Sequence, residues 1–93
     1  MYLEIVTPEA TLFSGEVDSV AVPGVLGEFE MLNNHAAIIS LLEEGFVKLY
    51  GNITLNGNVA DRFQKSERRQ GYFLPITSGT VEMKDNHVVV LAD

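Results

Sequence analysis

The 93-residue sequence has no cysteine, no tryptophan, only three prolines and no long apolar run. Without cysteine there are no disulfide staples and no thiolate ligands, so a zinc set cannot be completed and a reducing compartment, the cytosol, is expected. The opening "MYLEIVTPEA" lacks a basic start and an apolar stretch long enough for a signal peptide or a membrane span, and export is not expected. Cations are scarce as well. Six Lys and Arg against thirteen Asp and Glu give a formal charge of −7, which disfavours a general affinity for nucleic-acid phosphates or anionic lipid.

What remains is 46% hydrophobic, in a chain of a length that folds as one small domain, read here as residues 1–93. A domain of this size buries roughly 60–65% of its unfolded surface, enough for a thin core if most aliphatic side chains converge. The few cations are gathered in "RFQKSERRQ". Arg62, Lys65, Arg68 and Arg69, less Glu67, give residues 62–69 a charge of +3 and leave −10 on the rest. Such an island is ordinarily a solvated loop; the alternative is contact with an acidic partner.

The apolar period is mostly two, the signature of half-buried strands. Ile53, Leu55 and Val59 alternate with Thr54, Asn56 and Asn58; Tyr72, Leu74 and Ile76 with Phe73, Pro75 and Thr77; Val81 and Met83 with Thr80, Glu82 and Lys84. Pro23-Gly24, Asn56-Gly57, Ser78-Gly79 and Asp85-Asn86 supply the turn chemistry between them. Short strands at short spacing predict an all-β sandwich or barrel. The run Val88-Val89-Val90-Leu91 does not alternate, which predicts burial on both faces or a place where the two layers meet. Residues 34–45 are ambiguous: an asparagine cap, apolar Ile38, Leu41 and Leu42, and Gly45 as a stop fit a short helix as well as an irregular strand.

Residues that could carry chemistry are few. "PGVLGEF" has two glycines but no lysine or Ser/Thr of a phosphate loop, and reads as a turn. His35 and His87 lie 52 positions apart without metal-ligand spacing, and His87, after Asp85-Asn86, reads as a turn residue. The carboxylate pairs Glu28 and Glu30, and Glu43 and Glu44, are near neighbours in sequence, which seldom form an acid/base couple. No cofactor, metal or catalytic set is expected.

The stretch "MYLEIVTPEATLFSGEVDSVAVPGVLGEFEMLNNHAAIISLLEEGFVKL", with the closing "SGTVEMKDNHVVVLAD", resembles the N-terminal domain of the epsilon subunit of F-type ATP synthases, called delta in mitochondria. The motifs that carry it are the entry into "TPE", then "LFSGEVDSVAVPG", then "GEF" ahead of "HA", and "VVVLAD". The resemblance implies a two-sheet β-sandwich of about ten strands, and it tips residues 34–45 towards strand. The unmatched centre, about Gly51 to Gly71, is expected to form an enlarged hairpin or loop. The family commonly has glycine where Glu30 stands and proline where Asn33 and Ala37 stand, so the "GEFEMLNNHAAII" loop lacks its usual backbone restraints.

In the family, inhibition of hydrolysis and, in some members, ATP binding belong to a helical hairpin following "LAD", while the sandwich joins the gamma shaft to the c-ring. This sequence stops at Asp93, so only the joining role is expected, with no ATP binding and no bond chemistry. The resemblance thus implies a non-catalytic rotor part, coupling proton or sodium translocation to ATP synthesis. Its place would be the cytoplasmic face of a bacterial inner membrane, peripheral and not inserted. It puts Glu28 and His35 on a loop face turned towards the c-ring, acting together, and offers Arg62, Lys65, Arg68 and Arg69 as a basic contact. The rival is a free-standing β-sandwich adaptor or ligand-binding module. A small enzyme using His35 would need a concave pocket that nothing in the sequence promises.

Overall fold

Ten strands account for most of the chain in a computed structural model that describes residues 1–93. They are β1 (Tyr2–Val6), β2 (Thr11–Glu16), β3 (Ser19–Gly24), β4 (Gly27–Leu32), β5 (Ile38–Leu42), β6 (Gly45–Tyr50), β7 (Gln64–Lys65), β8 (Gly71–Ile76), β9 (Gly79–Lys84) and β10 (His87–Ala92). Hydrogen bonds link them in one ladder, β2-β1-β10-β9-β5-β3-β6-β8-β7, with β4 on the other edge of β3. All pairs are antiparallel except β1 with β10.

The ladder doubles over at its narrowest point. β3 and β5 share a single paired position, Gly24 with Leu42, whereas β3 and β6 share three. β5 and β6 run in the same direction along one edge of β3, so they are one strand bent at Glu43-Glu44, and the Glu43 N–H donates to Pro23 O at 2.8 Å. The bend brings the backbones so close that a Cβ on Gly45 would sit 2.7 Å from Pro23 Cβ. The result is two five-stranded layers, β2-β1-β10-β9-β5 and β4-β3-β6-β8-β7, packed face to face.

Their inner faces form one hydrophobic cluster of 20 residues. Leu3, Ile5, Val81, Met83, Val88 and Val90 come from the first layer and Val20, Val22, Met31, Val47, Leu49 and Leu74 from the second, each at most 1% exposed. Every fully buried side chain of this kind contributes roughly 1.5–3 kcal/mol by leaving water.

The structure corrects several expectations. Val88–Leu91 is not buried on both faces: Val88 and Val90 point into the core, Val89 is half-buried and Leu91 is 53% exposed. The strand buried on both faces is instead β3, where Ser19, Val20, Ala21 and Val22 are all inaccessible, because small outward residues let neighbouring side chains close over them. Residues 53–59 form no strand, and no hairpin grows from Asn56-Gly57. The Asn56 side chain instead accepts from the Asn58 N–H at 2.9 Å, and a 3₁₀ turn, Ala60–Arg62, follows. With β6 on one edge of β8 and β7 on the other, β8 has no edge left for this segment to pair with. Ile53, Leu55 and Val59 nonetheless pack against the core, so alternation identified the buried side without a ladder. Pro23-Gly24 ends β3, and the reversal falls at Val25-Leu26, with Gly27 at φ +124°. Asp85-Asn86 turns as expected, both residues having positive φ as a type I′ hairpin requires. Residues 38–42 are strand.

Gly45→Ala should therefore destabilise the domain by about 1–3 kcal/mol, from the collision with Pro23. Pro23→Ala in the same chain should recover part of the loss; simple additivity in denaturant titrations would show that the two residues do not press on one another.

Candidate functional site

The outward side chains of β3 are Ser19, Ala21 and Pro23, which leave room for long neighbours to lie across them. Glu28 and Glu30, two apart on β4, point to this same side. Lys48 Nζ on β6 pairs with Glu28 Oε1 at 2.9 Å. Arg69, in the loop between β7 and β8, reaches over Tyr50 to donate from Nη2 to Glu30 Oε2 at 2.8 Å and to Ser19 Oγ at 3.0 Å, and from Nη1 to Glu30 Oε1 at 3.3 Å. Ser19 Oγ donates to Glu30 Oε2 at 2.6 Å. The Arg69 guanidinium lies 3.8 Å from the Tyr50 ring centroid and Lys48 Nζ lies 5.0 Å from that of Phe73. Phe73 in turn contacts Phe46 and Tyr50.

Two ion pairs thus run side by side across β3. The hydrogen bond from Arg69, helped by that from Ser19, holds the Glu30 carboxyl below the usual glutamate range, and Glu28 raises the Lys48 ammonium.

This arrangement separates the residues that sequence reasoning had grouped. Glu28 is the second residue of β4, whereas His35 lies in the β4–β5 loop beyond its far end; four residue steps, about 13 Å, already separate Glu28 from Leu32. The two do not form a joint site. Glu28 already has a cation in Lys48. His35 is exposed, its backbone N–H donating to Leu32 O at 3.1 Å and its Nδ1 lying 2.7 Å from Ala36 O. Of the basic residues, Arg69 is committed internally, while Arg62, Lys65 and Arg68 are exposed and pair with no carboxylate of the chain. The core-facing Phe63, 8% exposed, fastens this basic segment to the domain. His87 is not a turn residue: it opens β10, its ring edge-on to Tyr2 and its Nε2 2.7 Å from Glu4 Oε1.

The opposite outer face, on the first layer, carries the Glu4 and His87 pair towards one end and a mainly apolar row at the other. Register places Leu41, Thr80, Leu91 and Val6 in one row across β5, β9, β10 and β1. Leu41 is 65% exposed and Leu91 53%. With Pro8 and Val25 they line a shallow groove of about 710 Å³. Sequence reasoning did not single out this row, because its members come from four distant segments. Nor did it find Lys48, Tyr50 or Phe73; the single available signal was the two-residue spacing of Glu28 and Glu30 on a strand.

The folded-state pKa of Glu30 is depressed, so its ion pair stabilises above the unfolded value near 4.3, and that stabilisation is lost as pH falls through the lower folded value. Glu30→Gln should lower stability by about 0.5–1 kcal/mol near neutral pH, as a partly exposed bidentate pair allows. The gap to the parent chain should close as pH falls through the lowered folded value. A gap that is constant from pH 7 to pH 2.5 in thermal melts would mean the carboxylate charge plays no part.

Over residues 1–93 the sequence matches the family described as ATP synthase, Delta/Epsilon chain, beta-sandwich domain. The ATP synthase epsilon chain of Campylobacter concisus is 36% identical over the whole of this chain, which spans 60% of that relative's length. That of Campylobacter curvus is also 36% identical, with 72% of its length covered. Among solved structures, a chain of the Tetrahymena thermophila mitochondrial ATP synthase central stalk and c-ring superposes with a TM-score of 0.67 at 15% identity, covering 98% of this chain and 61% of that one. A chain of the Euglena gracilis mitochondrial ATP synthase superposes at 0.71 and 14% identity, covering 97% and 48%. At such identities the likeness is one of fold. The match across all 93 residues and the similarity of the whole of this chain to part of two epsilon chains show that it belongs to the ATP synthase delta/epsilon beta-sandwich domain family.

Proposed function

We propose that the chain is a non-catalytic part of the rotor of an F-type ATP synthase, joining the gamma subunit to the c-ring and so helping couple proton or sodium movement to ATP synthesis. It would sit at the cytoplasmic face of a bacterial inner membrane, held there by its partners. The observation that carries this is the contrast between the two outer faces. On the second layer two ion pairs lie across β3, whereas at one end of the first layer's outer face Leu41 and Leu91 stand in water beside Val6 and Val25. Contiguous apolar surface of this kind is what a subunit buries against a partner. In this arrangement gamma covers the row from Leu41 to Val6.

The c-ring side would then be the free edge of β4 with the loop that follows it. β4 pairs only with β3, so its other edge presents unpaired backbone groups, and Glu28 and His35 mark its two ends. They serve as separate contacts along an extended edge. An imidazole ring has two nitrogens that can hydrogen-bond to polar loops. Arg62, Lys65 and Arg68 provide the basic contact, and Arg69 is withdrawn from it.

Leu91→Glu should leave the free domain folded, with stability within about 1 kcal/mol, because the side chain faces water. It should weaken capture of gamma at least tenfold, since the complex would bury an unpaired charge. Undiminished capture would assign gamma to another surface. His35→Ala should likewise shift the free domain by no more than about 0.5 kcal/mol yet weaken rotor assembly or ion-coupled ATP synthesis. A loss above about 1.5 kcal/mol in the free domain, with coupling intact, would make His35 a structural prop instead.

A further inference from the structure

The loop that carries His35 has little packing to hold it, since residues 32–37 are all exposed. What holds it is a side chain more than fifty residues away. The Asn34 N–H donates to Asn86 Oδ1 at 2.7 Å, and Asn86 Nδ2 donates to Asn33 Oδ1 at 2.9 Å. Both ends of the Asn86 amide are used, which sets its orientation. Asn33 Oδ1 also accepts from the Met1 nitrogen at 2.9 Å. Asn34 sits at φ +63°, so the chain reverses at the residue directly before His35, and Asn86 grips both that residue and the one before it. Asn86 is itself held, as the second residue of the two-residue turn between β9 and β10, with φ +61°. Its backbone carbonyl accepts from the Tyr2 N–H at 3.1 Å.

From this geometry we infer that Asn86 is the positioning residue of the His35 loop: the rigid β9–β10 turn holds the loop in one shape through the Asn86 amide, so that His35 is presented ready-ordered to its partner. The partner contact itself rests on the function proposed above; the grip on the loop does not. An exposed loop that is ordered before binding loses less conformational freedom on contact, which is a gain in affinity without a new contact. Asn86 makes no hydrogen bond to the His35 ring or to the apolar row, and its amide acts through the Asn33 side chain and the Asn34 backbone N–H.

Asn86→Gly separates this role from the turn, because Asp-Gly suits the same type I′ geometry while the amide is deleted. In the 93-residue chain, backbone order parameters at Asn34, His35 and Ala36 should fall from about 0.85 to below about 0.6, with β9 and β10 unchanged. Asn86→Asp keeps an acceptor for the Asn34 N–H and should restore order at that residue. Capture of a c-ring-bearing complex by the Gly variant should weaken about three- to tenfold. Unchanged order parameters in the Gly variant would overturn the inference, as would a loosening spread evenly over the whole domain. A loop that loosens while capture is undiminished supports Asn86 as its anchor and removes His35 from the contact.

Discussion

The close passage of β3 against the bend between β5 and β6 is the constraint on which the other features of this domain depend. One backbone position, Gly24 opposite Leu42, joins the two layers of the ladder, and beside it Gly45 passes Pro23 with no space for a Cβ. Side chains alternate strictly along a strand, so the sense of the bend decides for every strand downstream which residues face in. A slip of one residue there would turn Leu42 outward and place Leu41 in the core.

From that bend follow two outer faces that differ in what lies across them. On the second layer β3 carries small residues outward, and the vacant space is spanned by Lys48 with Glu28 and by Arg69 with Glu30. Each such pair is worth little on its own in water. Their larger effect is to cover Ser19 and Ala21, each 1% exposed, and to tie the β7–β8 loop down over Tyr50. On the first layer nothing comparable lies over Leu41 and Leu91. Under the proposed function, this asymmetry assigns the first layer to a large apolar partner and the β4 edge to polar contacts.

Much of the fold was legible because period-two alternation reports burial directly. It identified β8 and β9, and it found the inward side of residues 53–59 although no strand forms there. It failed where composition masked the period. Val88 to Leu91 is apolar throughout, so nothing in the residues shows that Leu91 faces water. The site was less legible. Glu28 and His35 stand seven positions apart in sequence, but an extended strand carries them to opposite ends of an edge, and Lys48, twenty positions from Glu28, turns out to be its partner.

By itself the sequence determined the class of the protein: an all-β, cysteine-free acidic domain with one basic island, whose "GEFEMLNNHAAII" and "VVVLAD" resemble the epsilon sandwich. Those properties follow from local periodicity, turn residues and charge, each readable within a few positions. Only the tertiary structure decided which apolar residues remain outside, that Arg69 is spent on Glu30 while Arg62, Lys65 and Arg68 stay free, and that Asn86 holds the loop bearing His35. The reason is distance along the chain. Arg69 and Glu30 are 39 residues apart, and Asn86 and Asn34 are 52 apart, and such contacts exist only once the folded sheet has brought its separate strands into register.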